Sequence, residues 1–309
     1  MANAISSFFQ TLVTAATEAS QVLVGTTAMM DAIYVDYSTV AASVGQTLTI
    51  PIPAQVTGSV ADAGVGDPTF TDVTFSPKTV VFNKHPQYGF VIRDFEQFNS
   101  PTSIRNLMVD PALKGIAEQV NGVIAALVNS TALNVNTTIS TTASIITADQ
   151  FVSGQIALMG QKVPVYDTPN MTFLQAPTLW GKLQRDAQWT QESFVGAEQA
   201  QAAKRDDGLR RAYGTMLGYD QAMPTTGAVG SRVFSSVLMH RYAIAAAYRP
   251  LPAPDPKVTE YTYVMWKGLP VRITFGYSVA KGGWLVNIDA GYGVTAVRPE
   301  MAQLFSTAE

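Results

Sequence analysis

The stretch Gly45-Gln46-Thr47-Leu48-Thr49-Ile50-Pro51-Ile52-Pro53, answered by Thr69-Phe70-Thr71-Asp72-Val73-Thr74-Phe75, decides how this chain is read. Thr47, Leu48, Thr49 and Ile50 alternate polar and apolar at the period of a strand, and Phe70, Asp72, Val73 and Phe75 alternate less strictly. Between the arms lies the Gly/Asp-rich turn region Ala61-Asp62-Ala63-Gly64-Val65-Gly66-Asp67-Pro68. The pattern predicts a long hairpin over 45–77. Pro51 and Pro53 confine it to a sheet edge or place it outside any ladder. A two-stranded hairpin alone is marginal in water, so this one needs another surface to lie on.

The chain has 309 residues, 47% hydrophobic and only 14% charged. That length allows one large domain or two modest ones with a sizeable core. A charged fraction below the roughly one quarter usual for soluble domains implies that other protein covers part of the surface, or that the core is large. With no cysteine, disulfides, zinc–thiolate sites and cysteine nucleophiles are excluded. A net charge of −3 excludes the strongly basic character of a sequence-reading nucleic-acid binder.

Charge is also segregated. No lysine or arginine precedes Lys78, while Glu18, Asp31, Asp36, Asp62, Asp67 and Asp72 do. The basic residues come later, among them Lys204, Arg205, Arg210 and Arg211. Such segregation suits an arm that docks on a more basic surface, and a surface bias without consequence reads the same way. The N-terminal residues lack a basic n-region, so no signal peptide is expected, and no apolar run is long enough to span a bilayer.

Residues 1–40, rich in Ala, Ser, Thr and Val, read as an arm that is partly helical around 5–19. After the hairpin, residues 78–94 read as two short strands broken near His85-Pro86, with Val80, Phe82, Phe90 and Ile92 on one packed face. The strongest helix starts at Asp110-Pro111, an N-cap followed by proline at the first helical position. Leu113, Ile116, Ala117, Val120, Val123, Ile124 and Leu127 then recur at helical spacing, with Lys114, Glu118, Gln119 and Asn121 off that face. Further along come a connector over 131–147, a helix over 148–161, and a short strand over 172–176. A helix capped by Thr178 follows, then a polar segment over 191–207. Gly214 to Asp220 contains Gly-x-x-x-Gly-Tyr-Asp. Val233–Arg249 reads as strand, and residues 261–305 as further strands.

Chemistry is sparse. The two histidines, His85 and His240, are far apart, and no metal, nucleophile-elbow or phosphate-loop spacing occurs. Asp94 and Glu96 have strand spacing that a glycosidase could use, though solvated charges at a strand end explain them better. Lys204, Arg205, Asp206, Asp207, Arg210 and Arg211 form a charge cluster suited to a solvated or intersubunit face. Trp180, Trp189, Trp266 and Trp284 show no stacking pattern for single-stranded nucleic acid.

Taken in order, these segments resemble the major capsid proteins of tailed phages with the α+β Hong Kong ninety-seven fold. Within that group they resemble the coat proteins of short-tailed Salmonella-type phages. Gly45 to Pro51 looks like the start of that family's extended loop. Phe82-Asn83-Lys84-His85 and Tyr88 to Asp94 look like its peripheral-domain strand, and Asp110 to Val128 like its spine helix. Gly214 to Tyr219, His240 to Ala243 and Gly268 to Arg272 are similar to its axial domain and the return from it. Tyr292 to Glu300 is similar to its closing strand. The likeness covers nearly the whole chain, with one departure: there is no room for the large insertion domain of the best-known coat of the group.

The resemblance implies an N-terminal arm over 1–40, an extended loop over 41–79, and a peripheral domain over 80–146 with its spine helix at about 110–129. An axial domain over 147–258 and a return to the peripheral domain over 259–309 complete it. It implies a structural protein without enzymatic activity or cofactor that forms pentamers and hexamers of an icosahedral shell around phage double-stranded DNA. The virion capsid would be assembled in the host cytoplasm, with no membrane. The expected partners are further copies of itself, a portal protein, a scaffolding protein, a possible cement protein and, non-specifically, the packaged DNA. Extended-loop residues Leu48, Ile50, Asp62, Asp67, Phe70, Asp72 and Phe75 are the expected intersubunit contacts, and Lys204, Arg205, Arg210 and Arg211 the expected basic partner surface. Some capsids of this fold weld neighbours through an isopeptide bond from an extended-loop lysine. No lysine lies between Gly45 and Pro77, so a shell held by non-covalent contacts is expected. A host-encoded nanocompartment shell of the same fold, and a carboxylate-dependent hydrolase using Asp94 and Glu96, are the alternatives.

Overall fold

The computed structural model describes residues 27–37, 45–53, 75–93, 110–133, 135–141, 144–190, 211–255, 260–266 and 268–309. A one-turn helix α1 (Ala28–Ala32) leads into strand β1 (Tyr34–Tyr37), then β2 (Thr47–Pro53), β3 (Phe75–Val81) and β4 (Gln87–Arg93). Helix α2 (Asp110–Ala126) is followed by β5 (Ile139–Thr141), α3 (Ala148–Gly160), β6 (Met171–Gln175), α4 (Pro177–Leu183) and α5 (Ala187–Thr190). Strands β7 (Arg211–Ala212), β8 (Thr215–Tyr219), β9 (Thr225–Thr226), β10 (Val233–His240) and β11 (Ile244–Arg249) come next. The described chain ends with β12 (Glu260–Trp266), β13 (Leu269–Ser278), β14 (Gly283–Ala296) and β15 (Ala302–Ala308).

Two sheets organise these elements. The first runs β1-β11-β14-β13-β12, with β4 also on β14, and the second runs β5-β15-β10-β6-β8-β7, with β9 also on β10. Strand β14 serves both β4, along Gly283–Asp289, and β11, along Gly291–Ala296. Register places Val271, Ile273 and Phe275 opposite Ala290, Ile288 and Val286, so one face of the first sheet is uniformly apolar. Helix α2 buries Leu113, Ile116, Val120, Ile124 and their neighbours in the cluster that contains that face. Each fully buried aliphatic side chain there contributes about 1.5–3 kcal/mol, which is what fixes the helix on the sheet.

The second core lies under the other sheet. Phe151 of α3 packs edge-on against Phe173 and Trp189, and Phe173 against Phe305. Helix α3 begins with a capping box, in which the Thr147 hydroxyl accepts from the Gln150 amide and the Gln150 side chain accepts from the Thr147 amide. Gly154 has no side chain because a Cβ there would meet the Phe305 ring at 2.5 Å.

Several local expectations change. Thr178 is not a cap: α4 starts at Pro177 with Ala176 at the N-cap and no side-chain bond, because proline at the first position already lacks the donor. Val233–Arg249 is not one strand. It divides at the 3₁₀ turn Arg241–Ala243, with β10 in the second sheet and β11 in the first. Val80 and Phe82 share one cluster while Ile92 belongs to another, because residues 82–86 interrupt the strand between them. The sheets also cut across the expected segments. Strand β11, within 147–258, joins the first sheet, and β15, within 259–309, joins the second. The polar segment 191–207 lies outside the described residues. Among the described residues no helix is long and apolar enough to cross a membrane.

Candidate intersubunit surface

Among the described residues, strands β2 and β3 pair only with each other, as a two-stranded ribbon. At its root Gly45, with φ +85°, donates to the Phe82 carbonyl at 2.8 Å, while the Phe82 amide donates to the Gln46 carbonyl at 3.0 Å. This is a bulge with two residues facing one, and its first position requires the left-handed conformation that glycine adopts without strain. From there the register pairs Leu48 with Val80, Ile50 with Lys78 and Pro51 with Pro77.

The two faces of the ribbon differ. Leu48, Ile50 and Ile52 are half-buried and pack, with Val80 and Phe82, on Ala245, Ala247 and Val297 of the same chain. The ribbon is further fixed where β3 crosses β14: a Cβ on Gly293 would collide with the Val81 carbonyl. Lys84 and Tyr292 exchange two backbone hydrogen bonds of 3.1 Å just beyond. A cleft of about 370 Å³ opens between this inner face and the body, lined by Tyr34, Ile50, Ile52, Tyr242, Val297 and Arg298 among others. The outer face carries Thr47, Thr49, Pro51, Phe75, Pro77, Thr79 and Val81, all exposed, with Phe75 at 60%.

Of the expected contact residues, Leu48 and Ile50 therefore face their own subunit's body, and Phe75 lies free on the opposite face. Asp62, Asp67, Phe70 and Asp72 lie outside the described residues, as do Lys204, Arg205, Arg210, Asp94 and Glu96. Arg211 is exposed at the start of β7. Lys78 sits in β3 opposite Ile50, exposed. The lysine-free span thus ends inside the ribbon, and the lack of lysine over 45–77 does not by itself deny the ribbon an amine.

Sequence reasoning missed the polar junction at the centre of the molecule. Asp220 is buried and accepts from Asn121 Nδ2 at 2.8 and 2.9 Å, from the Met29 amide at 2.9 Å and from the Ala222 amide at 2.8 Å. One carboxylate thereby joins α1, α2 and the loop after β8. Asn121 is not off the buried face, as expected above, but only 2% exposed. The signal was present: Asn121 follows Ala117 by four residues and precedes Ala125 by four, the spacing of the buried stripe.

A second polar cluster lies on the sheet face away from α2. Asp289 accepts from Arg272 Nε at 2.9 Å and Nη2 at 2.5 Å, from Asn287 Nδ2 at 3.2 Å, and lies 3.1 Å from His85 Nε2. The bidentate pair holds the guanidinium in its charged form even further above its ordinary range. Arg272 also donates to the Pro252 carbonyl at 2.6 Å, tying the segment after β11 to the sheet. His240 is buried, with Nε2 3.3 Å from Asp167 and Nδ1 accepting from the Tyr242 amide at 3.4 Å, which sets Nε2 as the protonated nitrogen. Asp167 is held below the ordinary carboxylate range, first by the Asn170 side-chain amide and then by His240. Burial pushes the Tyr292 phenol up to about 12. Both histidines are thus structural partners of carboxylates. Among the described residues no group of three or more His, Asp or Glu is arranged to hold a metal ion.

No protein-family profile matches the sequence, and no curated protein matches it. Solved structures do. A capsid structure of the cyanophage P-SCSP1u is 12% identical with a TM-score of 0.62, over 90% of this chain and 87% of that one. The capsid of Ralstonia phage GP4 is 11% identical with a TM-score of 0.59, over 90% and 87%. A virus-like particle from Pyrococcus furiosus is 9% identical with a TM-score of 0.54, over 96% and 99%. At such identities the likeness concerns the fold: this chain has the α+β fold of phage capsid proteins along nearly its whole length.

Proposed function

We propose that this chain is the major shell-forming subunit of a phage capsid, a structural protein without enzymatic activity. The observation that carries the reading is the fold likeness to capsid subunits, which spans about nine tenths of both chains. It is supported by a ribbon that is anchored on one face and bare on the other, the form of an element that reaches a neighbour. In finer detail, pentamers and hexamers of the subunit close an icosahedral shell around double-stranded DNA. Portal and scaffolding proteins take part in assembly in the host cytoplasm, and a cement protein is a further candidate partner. The proposed segments are an arm over 1–40, an extended loop over 41–79, a peripheral domain over 80–146 and 259–309, and an axial domain over 147–258. Among phage coats, the Salmonella-type group is the proposed kin.

Electron microscopy of the purified, expressed protein tests the reading. Closed shells of uniform size are expected, and a protein that stays monomeric under all assembly conditions would refute it. Neighbours in the shell are held by non-covalent contacts. A covalent ladder of subunits on denaturing gels would overturn that point and direct attention to Lys78.

A second reading has its own support. The likeness to the Pyrococcus furiosus particle covers 96% of this chain and 99% of that one, so a host-encoded compartment shell fits the same fold. Nucleic acid and a portal in native particles would favour the phage shell, and their absence the compartment.

A further inference from the structure

We propose that the cleft between the β2–β3 ribbon and the body binds a small amphiphilic anion, a fatty-acid carboxylate whose head is held by Arg298. The inference goes beyond the shell reading and does not depend on it.

The cleft has two unlike walls. One is the ribbon, which contributes Ile50, Pro51 and Ile52. The other is the body, where Ala245 of β11 and Val297 form a buried aliphatic floor with Tyr34 and Tyr242 beside it. The two tyrosine rings lie 5.3 Å apart, and Tyr242 packs in turn on the His240 ring at 5.2 Å. The body wall is therefore fixed before any ligand arrives. At about 370 Å³ the cleft falls at the small end of ligand sites, which run from about 300 to 1,000 Å³. That size suits a single hydrocarbon chain and not a folded partner.

Arg298 gives the cleft its sign. Its backbone is committed: the amide donates to the Ala243 carbonyl at 3.2 Å, and the carbonyl accepts from the Met301 amide at 3.0 Å. Its guanidinium has no hydrogen-bond or ion-pair partner among the described residues. None of the described residues that line the cleft is acidic. Lys78 lies opposite Ile50 in register, so a second cation belongs to the same face of the ribbon.

These walls select the ligand. A half-buried guanidinium forms short, charge-assisted and bidentate hydrogen bonds with a carboxylate. A wholly hydrophilic anion would leave the isoleucine and valine surface wet, and a neutral lipid would leave the guanidinium unpaired. A carboxylate on an alkyl chain satisfies both. Such a ligand touches ribbon and body together, so its binding tightens the ribbon on its own subunit.

Octanoate is the probe, titrated calorimetrically into the full chain, with 1-octanol as its uncharged counterpart. Octanoate should bind with a dissociation constant of roughly 1 mM or tighter. Arg298→Gln should weaken it about tenfold or more, and Arg298→Lys, which keeps the charge but not the fork, should weaken it less. Both variants should melt as the parent does, because the side chain holds nothing else. 1-Octanol should bind more weakly than octanoate, and equally to parent and Arg298→Gln. In the parent, saturating octanoate should slow hydrogen exchange in β2 and β3, because a ligand that bridges ribbon and body opposes their opening. Absence of octanoate binding overturns the inference and means that the chain itself or a second copy fills the cleft. Binding that survives Arg298→Gln unchanged, or that leaves ribbon exchange unaltered, overturns it by placing the acid on another apolar surface. 1-Octanol binding as tightly as octanoate overturns the choice of an anion.

Discussion

Helix α2 and the β2–β3 ribbon solve the same problem in opposite ways. The helix buries most of its apolar stripe in the core of its own subunit and secures a buried polar side chain, Asn121, on Asp220. The ribbon buries one face, through Leu48, Ile50 and Ile52, and leaves the other bare. The difference separates two kinds of stability. Damage to the helix side should appear in the isolated subunit, and damage to the outer ribbon face only when subunits meet.

The sharpest test on the helix side is Asp220→Ala, which strands the Asn121 amide and the Met29 and Ala222 N–H groups in a buried junction. With unpaired buried donors each costing about 1–3 kcal/mol, the subunit should lose about 3 kcal/mol or more in denaturant unfolding. A loss under about 1 kcal/mol would mean that the junction is wet and the comparison misdrawn. Next in size is Gly293→Ala, which drives a methyl group into the Val81 carbonyl where the ribbon crosses β14. About 1–3 kcal/mol of strain is expected, with faster hydrogen exchange confined to the ribbon and β14. Equal loosening across the second sheet would show that the ribbon is not a separable element.

A smaller effect is expected at Asp167, in the turn that leads into β6. Its carboxylate is more acidic folded than unfolded, so it favours the folded state above the unfolded value of about 4, and the contribution disappears as pH falls through the depressed value. Asn170→Ala removes the first cause of that depression. The variant should be less stable than the parent at neutral pH, and the gap should close in acid. A gap that widens below about pH 4 would contradict the assignment.

On the ribbon side, Phe75→Ala should leave subunit stability within about 0.5 kcal/mol, yet lower shell yield and raise the concentration at which shells form. Neutralising Asp62, Asp67 and Asp72 together should weaken assembly less than this, since exposed ion pairs contribute little singly. If the triple variant proves the more damaging of the two, charge and not the bare face governs the contact.

Much of the helix was legible because its information is local. Leu113, Ile116, Val120 and Ile124 announce a stripe within four turns. The strand alternation at Leu48 and Ile50 was equally plain, but which way those side chains turn depends on Ala245 and Val297, some two hundred residues later. Asn121 was misplaced for the same reason, since its partner Asp220 is ninety-nine residues away. The shared face expected for Val80, Phe82, Phe90 and Ile92 failed because Phe82 to Pro86 reset the strand direction between β3 and β4. The aspartate of the Gly-x-x-x-Gly-Tyr-Asp segment is visible in the sequence, but nothing near it says that it is buried.

The strand order of the first sheet also bears on how the chain comes into being. Strand β4 ends at Arg93 and its partner β14 begins at Gly283, so 190 residue positions separate the two halves of one ladder. At synthesis rates of about 5–20 residues per second, the earlier strand waits roughly 10–40 s on the ribosome for its mate. From its own synthesis until β13 and β14 follow, α2 lacks the strands whose apolar face shares its core. Many copies made at once on neighbouring ribosomes would present the same unmatched surfaces to one another. The long separation makes the nascent chain, and not the finished subunit, the form most in need of a folding chaperone.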